Sequence, residues 1–367
     1  VAIDKVVSAS ITDSSVTDAK LSFNSNQFRN IIINGDMSVA QRSTSETGQT
    51  SSGYICVDRF NHGINSQGTW TISQDTTVPT GQGFAKSMKM DCTTADASPA
   101  ADDYIWFEQK IEGQNLQYLK KGTSSAESVT VSFWVYATKT GTNVLEFLDK
   151  DNTRHICQTY TIDTTNTWEK KTITFAGDTS GAFNNDNGES ASLLFWIGAG
   201  SNYTSGALDT TWGSFSGRAA HRAGGQVNHA DSTSNNFYLT GIQMEAGTSA
   251  SDFEFLPVDV NLARCQRYFI DMGNQAGVSY SSTNGMTWGL QFPTTMRTAP
   301  STAFNYSGTA NRIYRLDNAA TSDFTSPQIF DNVDGIVFMY SAGTPASGWA
   351  NDPGTGFQAD WTADAEL

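Results

Sequence analysis

The chain has 367 residues, 38% hydrophobic and 11% aromatic, with 37 acidic against 22 basic side chains and a net charge of −15. That length suits two domains with a sizeable core, the apolar residues being gathered into short runs between Gly, Ser, Thr and Asn. So acidic a surface repels phosphate backbones and anionic lipid, and the adjacent lysines Lys120-Lys121 and Lys170-Lys171 are isolated pairs, so nucleic acid is excluded as a partner.

No stretch approaches the length of a membrane span, and the opening VAIDKVVSAS lacks a basic region followed by an apolar run, so neither membrane insertion nor a signal peptide is expected. The four cysteines, Cys56, Cys92, Cys157 and Cys265, show no CxxC spacing and are expected as buried free thiols.

In chain order, residues 1–28 contain ITDSSVTDAKL, polar and weakly patterned, which cannot form a core alone. They are expected as an extended segment for attachment or oligomerisation. Period-two alternation then marks strands at 104–111, 128–137, 155–162, 169–175, 193–198 and 237–245. Turn pairs separate such runs: Asn34-Gly35, Thr140-Gly141, Asp151-Asn152 and Asn187-Gly188. Many short strands at regular spacing predict an all-β jelly-roll β-sandwich over residues 29–257. Within it, residues 199–235 are rich in Gly, Ser, Ala, Thr and Asn and carry His221 and His229. A loop this long is functional, an insertion, or an excursion at a subunit interface. After Leu256-Pro257, Asp259 is placed to cap a short helical connector over 259–268. Strand signals resume at 286–292, 328–332, 335–341 and 357–365, giving a smaller C-terminal β domain within 258–367.

A series of segments, taken in order, resembles a family of bacteriophage tail-fibre-like proteins: NIIINGDMSVAQR at 30–42, VDRF at 57–60, WFEQKIEGQNLQYL at 106–119, VSFWVYA at 131–137, TWEKKTITFAGDTSG at 167–181, FYLTGIQMEAG at 237–247, FEFLPVDVNLARCQRYF at 253–269, FPTTMRTAP at 292–300 and ADAEL at 363–367. ITDSSVTDAKLSF at 11–23 looks like the linkers that precede such domains. The resemblance implies a virion protein, a homotrimer with a jelly roll like those of carbohydrate-binding modules, assembled in the host cytoplasm. It would join other tail or neck proteins through residues 1–28 and either bind host-surface glycans or serve as an appendage without a host ligand.

Similarity to jelly rolls that hold a structural calcium points to Asp36 and Glu245 as carboxylates to inspect; the alternative for Asp36 is a turn position after Gly35. Arg59, in an Asp58-Arg59 step read as strand, is expected to pair with a buried carboxylate or backbone carbonyls. No catalytic motif stands out: GxSxG, P-loop and HExxH are missing, and Glu108 and Glu112 are expected as solvated or ion-paired side chains rather than a glycosidase pair. The chain is therefore read as non-enzymatic. Of the four scattered histidines, His62, His155, His221 and His229, the last two flank a Gly-Gly loop, which hints at a metal, and are expected as polar loop histidines instead. Trp106, Trp134 and Trp196 lie on the strand faces opposite Phe107, Phe133 and Phe195 and are the glycan-binding candidates, joined by Tyr340 and Trp349 in the C-terminal domain. The same aromatic faces suit a subunit interface, and both alternatives stand at this point.

Overall fold

The computed structural model describes residues 28–279, 285–287, 290–316, 321–323, 327–341 and 356–367; the expected attachment segment lies outside them except for Phe28. The architecture is all-β, a jelly-roll sandwich followed by a smaller β domain.

The sandwich is built from β1 (Ser45–Tyr54), β2 (Asn61–Asp75), β3 (Ser87–Thr94), β4 (Tyr104–Glu112), β5 (Val129–Ala137), β6 (Gly141–Asp149), β7 (Arg154–Ile162), β8 (Glu169–Phe175), β9 (Glu189–Ala199), β10 (Gly213–Ser214) and β11 (Asn236–Ala246). Hydrogen bonding runs in the order β10-β7-β6-β9-β4-β2-β3-β11-β5-β8, with β1 on β2. One long strand turns the corner between layers. β2 pairs with β4 up to Ser66 and with β3 from Thr69. The corner between them holds Ser66 and Gly68 at positive φ, and a Cβ on Gly68 would sit 2.8 Å from the Thr94 carbonyl oxygen. Glycine is what lets the strand bend there.

The first layer is therefore β10-β7-β6-β9-β4 with the start of β2, and the second is the end of β2 with β3, β11, β5 and β8. Strand alternation sends Phe107, Phe195, Phe133, Trp70, Met88 and Met90 into one buried core. Phe133 of the second layer meets Phe195 of the first edge-on, ring centres 5.0 Å apart. All four cysteines are buried and free, as expected.

Residues 30–39 stitch this core together. Asn34 adopts φ +61°, and its side chain bonds the Val39 N–H and the Val39 and Asp58 carbonyls. A Cβ on Gly35 would lie 2.0 Å from the Ile242 oxygen, so only glycine permits the approach to β11. The Asn30 side chain receives the N–H groups of Ile32 and Met244 and donates to Ile242 O.

At one edge of the sandwich the Lys121 ammonium is buried among Asp149 (2.5 Å), Asp178 (3.0 Å) and the carbonyls of Ser180 and Gly181. Arg154 donates two further bonds to Asp178.

Residues 199–235 are not an unstructured loop. They hold α1 (Ser201–Thr204), the two-residue β10 and a 3-10 turn at Ala219–His221. The connector is α2 (Val258–Gln266). It starts one residue earlier than expected: Pro257 is the N-cap, no side chain caps it, and Asp259 sits in the first turn. Proline's fixed φ suits that boundary, and Asp259 complements the helix dipole without bonding the cap.

The small domain comprises β12 (Phe269–Ser279), β13 (Gly285–Thr287), β14 (Leu290–Gln291), β15 (Ser301–Tyr306), β16 (Thr309–Ala310), β17 (Arg312–Arg315), β18 (Thr321–Asp323), β19 (Pro327–Asn332), β20 (Gly335–Ser341) and β21 (Gly356–Asp364). β21 lies between β12 and β15 and delivers Ala359, Trp361 and Ala363 to a core with Ile270, Phe292, Phe304 and Ile313.

A buried polar clasp joins the two domains. Asp58-Arg59 is a turn rather than a strand step, with Arg59 at φ +74°. That turn drives the guanidinium inward, where it pairs with Glu366 and donates to Lys110 O at 2.8 Å, stacked 3.4 Å over Tyr268. Arg42 reaches Asp364 and Glu366, and Arg267 grips Glu112 through two 2.8 Å bonds.

Candidate functional site

Side chains alternating away from the core form two outer faces, one on each layer. The structure separates the three tryptophans of the sandwich between them.

On the first layer, Trp106 and Trp196 are cross-strand partners with Tyr104 and Tyr203 beside them. Trp106 stacks on Tyr104 with ring centres 4.0 Å apart and lies against Gly63, where a Cβ would come 2.2 Å from the indole. Trp196 has no exposed surface: it is covered by the excursion after β9, and its indole N–H donates to Glu146 at 3.0 Å. That cover is pinned by ions. Arg222 donates to both Glu146 oxygens, His155 bridges Glu146 (2.8 Å) and Asp209 (3.0 Å), and Arg218 pairs with Asp209. Burial alone would raise the Glu146 carboxyl, but Arg222 and His155 hold it below the usual range.

Glu146, His155 and Cys157 place one ligand-type atom each within 4.8 Å of one another. Their bonding is that of a closed ion network. The guanidinium of Arg222 stands where a cation would neutralise Glu146, and burial pushes the Cys157 thiol far above its ordinary range, keeping it protonated.

The second layer presents an open aromatic face. Trp134 and Tyr136 of β5 point outward between core residues Phe133, Val135 and Ala137, and both are half-buried. Pairing of β5 with β11 sets Tyr136 opposite Tyr238 and Trp134 opposite Thr240; pairing with β8 sets Trp134 opposite Lys170. Tyr136 and Tyr238 meet edge-on at 5.0 Å, and Trp168, just before β8, joins both at 5.6 and 6.3 Å. Lys89, opposite Tyr238 on β3, holds its ammonium 5.8 Å from that ring and 3.4 Å from Asp91. The Tyr136 hydroxyl donates to the Asn166 side chain at 3.2 Å. Tyr238 is buried, and the partly exposed rings of Trp134, Tyr136 and Trp168, framed by hydroxyl, ammonium and carboxylate groups, can pack C–H faces and hydrogen-bond hydroxyls at once.

Of the candidates from the sequence, Trp134 alone belongs to this face. Tyr340 occupies a β20 position paired with Gln328 and Gly285, and Trp349 lies outside the described residues. Tyr136 was legible beside Trp134 from alternation, whereas Tyr238, Trp168 and Lys89 arrive through strand pairing between distant segments, which no local pattern encodes.

Asp36 and Glu245 do not build a calcium site. Asp36 accepts from Ser38 Oγ (3.0 Å) and Asn261 Nδ2 (3.1 Å), at a recess of about 240 Å³ that Arg264 also lines. Glu245 accepts from Ser251 N, Ser251 Oγ and Gln243 Nε2, with Arg29 at 3.7 Å. Both carboxylates face hydrogen-bond donors and a guanidinium, where calcium needs converging oxygens.

Glu108 and Glu112 are both buried rather than solvated: Glu112 is held low by Arg267 against the raising effect of burial, while burial raises Glu108. His229 corrects the polar-loop expectation by being buried. His62, His155 and His229 are buried, and burial pushes His62 and His229 each down to about 3. His221 and His229 do not meet at a common ligand: His221 Nδ1 bonds Ala207 O, and His229 Nε2 bonds Asn143 Oδ1.

No protein family matches the sequence, and no curated protein matches it. Among solved structures, the enzymatically active domain of tailspike protein 4 from bacteriophage CBA120 matches with a TM-score of 0.31 at 13% identity, over 59% of this chain and 21% of that one. The family 11 carbohydrate-binding module from Clostridium thermocellum, in complex with a β-1,3-1,4-mixed-linked tetrasaccharide, matches with a TM-score of 0.28 at 10% identity, over 57% and 98%. A CBM4 structure matches with a TM-score of 0.30 at 14% identity, over 58% and 97%.

Proposed function

We propose that this chain is a non-enzymatic virion tail-fibre protein that binds host-surface glycans through the outer face of its second layer. The observation that carries the glycan reading is the partly exposed group of Trp134, Tyr136 and Trp168 on that face, backed by the buried ring of Tyr238. A soluble surface exposes such a group at a cost in hydration, and a sugar ring or a protein partner repays it. The ordered series of segments from 30 to 367 supports the placement in a phage tail, with assembly in the host cytoplasm.

The test is a glycan array with host-adsorption blocking, run on the natural protein and on Trp134→Ala with Trp168→Ala. Binding that falls at least tenfold in the double variant supports the proposal; no array signal and no blocking overturn glycan binding and leave a structural appendage.

A homotrimer is the assembly that the tail-fibre resemblance implies, and Phe255 (49% exposed) and Val258 (74%) offer apolar surface to a partner. Light scattering on the same preparation tests it, and a stable monomer overturns it.

A further inference from the structure

Within the glycan-binding proposal, on which this inference rests, the second-layer face also points to the charge of its ligand. Lys170 is exposed and directly opposite Trp134 in the β5–β8 register, so both side chains leave the sheet on the same side. The chain carries 37 acidic and 22 basic residues, and several of its other surface lysines find acids: Lys120 pairs with Glu127, Lys139 with Asp231, Lys150 with Glu189, and Lys171 with Asp163 and Glu169. Among the described residues no carboxylate comes within ion-pair distance of Lys170. Its neighbour Lys171 points to the other side of β8 and takes the nearby acids with it. Lys89, which also sits on this aromatic face, is already matched by Asp91.

We infer that the sugar this face receives carries a carboxylate, as a uronic or sialic acid does, with a ring against Trp134 and the carboxylate on Lys170. An ammonium at the rim of an indole offers an acid both a charge-assisted hydrogen bond and an adjoining apolar surface. Lys170 is solvated, so the charge contribution is modest and short-ranged, and the net charge of −15 repels long polyanions. Short oligosaccharides are therefore the right probes.

Calorimetric titration of the full chain with trigalacturonate and with its methyl ester, which keeps the rings and removes the charge, tests this. The acid should bind about three- to tenfold tighter than the ester at low ionic strength. Lys170→Gln should bring the acid down to the affinity of the ester, and Trp134→Ala should weaken both. Equal affinity for acid and ester, or a preference that survives Lys170→Gln, overturns the charge assignment. Trisialic acid is titrated in parallel, and no heat from either acid overturns the assignment too. Neutral glycans bound on the array in a Trp134-dependent way would then leave the broader glycan proposal standing, whereas an empty array removes both. Circular dichroism of the variants confirms that each keeps its β-sheet spectrum.

Discussion

Single residues in this chain do work that their neighbours in sequence do not announce. His62 sits in the core beside Phe107, its Nε2 against the Met88 sulfur at 3.3 Å, and His229 packs on Phe237. Both are neutral when folded because burial penalises the imidazolium, whose pKa falls from 6.5 to about 3. An unfolded chain takes up these protons near pH 6.5 and the folded one does not, so stability is full above that pH and is lost as pH falls toward 3. Each histidine contributes a slope of roughly 1.4 kcal/mol per pH unit in that window. His62→Leu should flatten the acid limb by about one such slope in urea titrations between neutral and acid pH. An unchanged limb would mean that His62 keeps its proton when folded. Sequence alone suggests a polar loop position for His229 because nothing local distinguishes a core histidine from a solvated one.

At the scale of elements, alternation made β4, β5, β7 and β8 legible, while β9 is a continuous apolar run from Leu193 to Ile197 and β11 shifts register between Thr240 and Gln243. It did not reveal β1, whose SETGQTSSGY is almost wholly exposed and broken by register shifts, or β2, whose NHGINSQGTWTISQD changes layer midway. The covering excursion after β9 was legible as unusual, but the face it hides was not, because that depends on Arg222 and Asp209 finding Glu146 and His155. Lys121 shows how much one edge depends on such long-range meetings. Lys121→Met would leave Asp149 and Asp178 buried with one fewer cation, and should cost about 3–5 kcal/mol in denaturant unfolding. A loss under 1 kcal/mol would show that the ammonium is dispensable.

At the scale of the whole molecule, length and the break at Leu256-Pro257 suggest two domains, but the contacts between the segments on either side were not legible. Arg59 and Glu366 are 307 positions apart and both buried. Arg59→Leu would leave the buried Glu366 carboxylate with Arg42 as its remaining cation and should cost about 3–5 kcal/mol. Calorimetry should show one cooperative transition for the natural chain and two for the variant; a single unshifted transition in both would mean that the clasp does not couple the domains. The position of β21 carries a consequence for how the protein is made. The strand that sits between β12 and β15, and the acidic residues that follow it into the clasp, leave the ribosome after every segment they bind. The jelly roll can therefore close during synthesis, while the small sheet waits with its centre open and its two flanking strands unpaired on one side. Any product halted before residue 356 would carry exposed strand edges that invite pairing with another chain, so translation must run to these last residues before the molecule is safe from aggregation.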